Sequence, residues 1–199
     1  PFTTNYLRNH GETILPHQSV LMTRLAVLSA AAMVVVNQVF PDTLLSGLIV
    51  TLVAIINAVR FAGWRGQRIL RVPILWVLFL GYGFVILGLA ADAMAILGDW
   101  LPRTAADHLL TIGGIGCMTL GVMTRATLGH TGRETHASPV MATAFIILAV
   151  AALLRAFGPT LWPEYYAVTM AVAGIMWVSV FSAFTVTFWP ILTRPRIGQ

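Results

Sequence analysis

Five histidines, His10, His17, His108, His130 and His136, are the residues of this 199-residue chain best suited to holding a metal or a haem iron. A neutral imidazole offers a lone pair that iron and copper accept. His108 and His130 bracket one apolar segment, 22 positions apart. Along an α-helix that is roughly 33 Å, about the width of a bilayer core. The two therefore cannot bind one metal together, and each needs a partner from another element. His130 shares its end of the segment with His10, His17 and His136. His108 has Asp92, Asp99 and Asp107 near its level. The plain alternative for each histidine is an interfacial residue tolerated beside lipid headgroups.

Arg125 and Arg133 flank His130, and with Thr131 they form a basic, hydroxyl-bearing patch suited to haem propionates or another anion. Simple membrane anchoring explains Arg133 as well, but Arg125 less so, because it lies inside the apolar run. At 100° per residue, Gly113, Cys117, Gly121 and Thr124 share one narrow stripe. Small residues at such spacing let a helix or a flat cofactor approach the backbone, and helix packing is the commoner use. Cys117, Met118 and Met123 are soft donors for copper(I). On a helix Cys117 and Met118 point about 100° apart, and Met118 and Met123 about 140° apart, so the three do not converge. Asp92 reads as an interfacial carboxylate, with a place on a polar pathway as the alternative, and Arg155 as a side chain snorkelling outward. The chain has no phosphate-binding loop, no nucleophile elbow and no HExxH zinc motif. No catalytic residue is assigned, and enzymatic activity stays open.

The elements that must carry these residues are membrane spans. Apolar residues make up 58% of the chain and charged residues 10%, and the mean hydropathy is +0.84. A soluble domain carries about a quarter charged residues. The apolar residues fall into six continuous runs, near 25–39, 43–59, 72–97, 106–128, 140–157 and 165–189. Continuous runs specify helices, whereas barrel strands alternate. The expected fold is all-α, a polytopic antiparallel bundle of about six transmembrane helices. Residues 1–24 form a loop or interfacial segment, 25–189 the bundle and 190–199 a tail. The principal partner is the lipid bilayer.

All twelve basic residues are arginine. Ten of them, including Arg8, Arg24, Arg60, Arg65, Arg68 and Arg71, fall on one side of the predicted bundle. Arg103 and Arg155 fall on the other. The positive-inside rule then makes both ends cytoplasmic, in a bacterial-type inner membrane. Arginines set between apolar runs argue against nucleic-acid binding. The single cysteine precludes a disulfide within the chain. A start at Pro1 rather than Met suggests a piece of a longer protein.

The segment from His108 through Gly113-Gly114-Ile115-Gly116-Cys117, Thr124-Arg125 and Gly129-His130-Thr131-Gly132-Arg133 resembles the signature of the NnrS family. The opening Pro1-Phe2-Thr3 with Asn5, Tyr6 and Leu7 resembles that family's mid-chain segment. The resemblance implies a C-terminal half, with the N-terminal half of the same protein as a partner. It implies non-covalent b-type haem, copper, and a part in the bacterial response to nitric oxide and nitrosative stress, with nitric oxide as a ligand. Carried over by position, the motif residues are His108, Arg125, His130 and Arg133. A haem protein that senses, buffers or relays electrons is the reading this supports. A transporter or channel half-domain without haem is the alternative.

Overall fold

The computed structural model describes residues 2–11, 16, 19–64 and 66–196. All regular elements among the described residues are helical. They are α1 (Phe2–Asn9), α2 (Val20–Val39), α3 (Leu44–Ala62), α4 (Pro73–Gly98), α5 (Arg103–His108), α6 (Cys117–His130), α7 (Pro139–Leu161) and α8 (Tyr166–Leu192). A π-helical stretch, Leu109–Gly116, joins α5 to α6, so Arg103–His130 is one continuous span. Among the described residues six helices are long and apolar enough to cross a membrane. The all-α bundle expected from the sequence is therefore present.

Local chemistry sets the helix ends. Ser19 starts α2, its hydroxyl accepting from the Met22 amide at 3.3 Å. This places the start five residues before the hydropathy boundary at Leu25. Thr43 and Ser46 form a reciprocal capping box on α3: the Thr43 hydroxyl accepts from the Ser46 amide, and the Ser46 hydroxyl from the Thr43 amide. Ser138, followed by Pro139, opens α7 in the same manner. At the far end α8 runs through Pro190 to Leu192, because a proline in the last turn removes only one hydrogen bond. The segment before α2 is not all loop. Phe2–Asn9 is a helix that seats Leu7, 1% exposed, in the main core. His17 and Arg65 lie outside the described residues.

Packing makes α4 the centre. It lies against α3 on one side and the Arg103–His130 span on the other, while α7 joins that span to α8. The main core gathers Phe84 of α4, Leu120 of α6, Phe145 and Leu148 of α7, and Phe184 and Phe188 of α8. A smaller core of Val50, Val53, Ala54, Leu89 and Ala93 joins α3 to α4. The contact between α4 and the fourth span is a seam of glycines. Met118 lies over Gly81, Leu110 over Gly88, Phe84 against Gly113, Val85 against Gly114 and Val77 against Gly121. In each pair a side chain of one helix occupies the space a Cβ of the other would need.

Candidate functional site

The fourth span carries both candidate ligands, so its backbone decides where they point. Gly113, Gly114 and Gly116 lie in the π-helical stretch. There each turn holds more residues than the 3.6 of an α-helix, and such turns are frequent at functional sites. The wider turns alter the rotation of His108 and Asp107 relative to α6 from what 100° per residue gives. Gly113, Cys117, Gly121 and Thr124 are nonetheless all buried. The stripe survives, and on it Gly113 and Gly121 carry side chains of α4.

His108 is half-buried at the last residue of α5. The Nε–H of Arg155, on α7, donates to its Nε2 at 3.3 Å. The backbone of Thr104, one turn earlier, interacts with the same imidazole by a hydrogen bond. With Nε2 accepting, the ring proton sits on Nδ1, the nitrogen left to meet the Thr104 carbonyl. An imidazole whose Nδ1–H faces a backbone carbonyl presents Nε2 as its lone pair, an arrangement usual for a metal-binding histidine. Arg155 thus turns inward onto α5 rather than snorkelling away.

Around His108 the same end holds a charge network. The Nε of Arg103 lies 3.3 Å from Asp92 Oδ1, and one of its terminal nitrogens pairs with Asp42. Asp92 is therefore an ion-paired carboxylate, 17% exposed. The pairing ties the α2–α3 link to α4 and to the start of α5. Asp107 is exposed, and its carbonyl accepts from the Thr111 hydroxyl at 2.6 Å.

The opposite end of the span is built by a helix stop. Gly132, with φ +74°, lets the Arg133 amide reach back to the Leu128 carbonyl at 2.9 Å and the Gly132 amide to Gly129 at 3.3 Å. That double closure is the Schellman motif, for which glycine is the favoured residue. It leaves His130 exposed at the last residue of α6. Arg133, half-buried, donates to the Thr131 carbonyl at 3.4 Å. Thr131 turns its hydroxyl onto Thr127. Arg125 is half-buried five residues before His130, so the two point about 140° apart on the helix. His130 and Arg133 therefore share a corner with Thr131, while Arg125 leaves the helix on another side. His136 is exposed, and His10 stacks on Tyr6 with ring centroids 4.1 Å apart.

The soft donors do not assemble. Cys117 is fully buried, Met118 lies over Gly81 and Met123 packs at the core margin. Among the described residues no three His, Cys, Asp or Glu side chains group as a metal site. These donors do not fit a copper centre. One polar cluster within the spans was not foreseen from the sequence. Arg60 donates to the Tyr82 hydroxyl at 2.9 Å, Tyr82 donates to the Asn57 side chain, and the guanidinium lies 5.0 Å from the Trp64 ring centre. Its signal was present: an asparagine inside an apolar run and an arginine at its end, each needing a partner there.

The profile of the NnrS family, described as NnrS protein, matches residues 1–196. The chain belongs to the NnrS family. No curated protein and no solved structure matches it. The signature resemblance over 107–133 thus extends to nearly the whole chain, and this NnrS-family chain has the helices of a multi-pass membrane protein.

Proposed function

We propose that this NnrS-family chain holds a b-type haem through His108 and serves the bacterial response to nitric oxide from the inner membrane. The observation that carries the reading is the imidazole of His108, with Thr104 on one side of its ring and Nε2 directed toward Arg155. Nε2 is thereby a nitrogen donor of the right kind for haem iron. When bound, haem supplies an iron that takes nitric oxide as a ligand and exchanges single electrons. The chain's own residues do the rest. Thr104 fixes the ring. Arg155 lies within hydrogen-bonding distance of Nε2, so it must release that atom before a metal can bind. Asp92, Asp42 and Arg103 satisfy one another, which leaves Arg155 as the cation directed at His108.

His130 supports a second haem position less well, because it is exposed and Arg125 points away from it. Placement of the arginines supports a topology with both ends cytoplasmic, which puts His108 on the outer side. Any further donor to such a haem would come from the N-terminal half of a longer chain.

Visible spectra of the chain purified from haem-supplemented cells test this. A Soret band that shifts on reduction, is lost in His108→Ala and persists in His130→Ala is expected. A colourless protein would overturn haem binding by this chain. Loss of the band in His130→Ala alone would move the site to the opposite end.

A further inference from the structure

A groove of about 700 Å³ runs along α4, on the flank between the end of α3 and α7. Phe61, Trp76, Phe79, Gly83, Leu87 and Leu153 line it. Leu70, Leu87 and Leu153 are exposed, so it opens sideways, toward lipid. From Trp76 to Leu87 the helix rises roughly 16 Å, and one leaflet contributes about 15 Å of hydrocarbon. The groove is thus one acyl chain deep in a single leaflet.

Gly83 lies in its wall. A Cβ added at Gly81 or Gly88 would strike Met118 or Leu110, but one added at Gly83 meets nothing within 4 Å. Glycine at this position therefore leaves open space along the groove, room that a larger side chain would take.

The mouth is basic. Gly66 and Leu70 close the groove at the α3–α4 link, and Arg68 and Arg71 of that link are exposed. Arg60 stands in the last turn of α3 beside Phe61. No acidic residue occurs from Thr43 to Ala91. Basic pockets beside membrane helices recognise anionic headgroups.

We propose that this groove is a binding site for an anionic phospholipid, with one acyl chain lying along Gly83 and the phosphate at Arg68 and Arg71. The site is separate from His108 and stands whether or not the chain binds haem. Native mass spectrometry of the chain in mild detergent, titrated with phosphatidylglycerol or with phosphatidylcholine of the same acyl chains, tests it. Phosphatidylglycerol is expected to bind at least about tenfold more tightly, since each basic residue near an anionic surface is worth about fivefold. Arg68→Gln with Arg71→Gln should abolish the preference. Gly83→Phe should weaken binding of both lipids, with the helical circular dichroism and melting of the protein retained. Equal binding of the two lipids by the unaltered chain would overturn the proposal. So would binding of the two lipids left undiminished by Gly83→Phe, or a groove covered by a second copy of the chain in a detergent-stable dimer.

Discussion

Replacing Gly121 by alanine and, separately, Gly83 by alanine should shift stability in opposite directions. Both glycines lie within transmembrane helices, so each substitution gains up to about 1 kcal/mol of helix propensity. At Gly121 the new Cβ would sit 2.6 Å from Val77 Cγ1 and 3.2 Å from Leu78 Cδ2. Carbon pairs sit best at about 3.5–4.0 Å, so the helices must part by roughly 1 Å. Val77 cannot yield alone, because it is fully buried and β-branched, with one strongly preferred rotamer in a helix. Overpacking of this kind costs about 1–3 kcal/mol, which exceeds the propensity gain. Gly121→Ala should therefore destabilise, by up to about 2 kcal/mol. At Gly83 nothing opposes the gain, and Gly83→Ala should stabilise by about 0.5–1 kcal/mol. Reversible unfolding in mixed micelles of dodecyl sulfate and mild detergent reads both values. Gly121→Ala matching or exceeding the parent in stability would refute the tight seam and reopen a cofactor cradle between α4 and the fourth span.

Arg103→Ala should cost about 1–3 kcal/mol, because it strands the mostly buried Asp92 carboxylate. Asp42→Ala should cost no more than about 1 kcal/mol, since that pair is 47% and 62% exposed. The same unfolding assay separates the two. Cys117, fully buried, should react with a maleimide only as fast as the bundle unfolds, and rapid labelling of the folded protein would contradict its placement. Arg155→Gln should raise apparent haem affinity by up to about tenfold in a Soret titration, since it removes a donor competing for Nε2. Weaker binding would mean that Arg155 chiefly holds haem rather than competing with it.

Hydropathy made the six spans legible because a bilayer demands long apolar helices and little else. Their ends were less so. Ser19, Thr43 and Ser138 are capping residues that set helix starts through single hydrogen bonds, which an apolar run does not register. The glycine stripe was legible as a packing feature, but helix arithmetic at 100° per residue assumed an α-helix where Leu109–Gly116 is π. Periodicity carries no signal for a change in hydrogen-bond register. His108 and His130 were legible by type and depth. What distinguishes them was not, because the partner of His108 is Arg155, 47 residues away on another helix. The same holds for Arg103 with Asp42 and for Arg60 with Tyr82. Each charge was visible inside or beside an apolar run, and burial implied a partner for it. Which partner depends on how the helices are arranged about α4, and that arrangement comes from the two apolar cores together with the glycine seam.

The proposal that His108 is a haem ligand is tested most directly by chemical rescue. His108→Gly, purified from haem-supplemented cells, should lack the Soret band of the parent, and added imidazole should restore it by filling the vacated ligand position. His130→Gly should keep the band throughout. A Soret band retained in His108→Gly before imidazole is added would contradict the assignment.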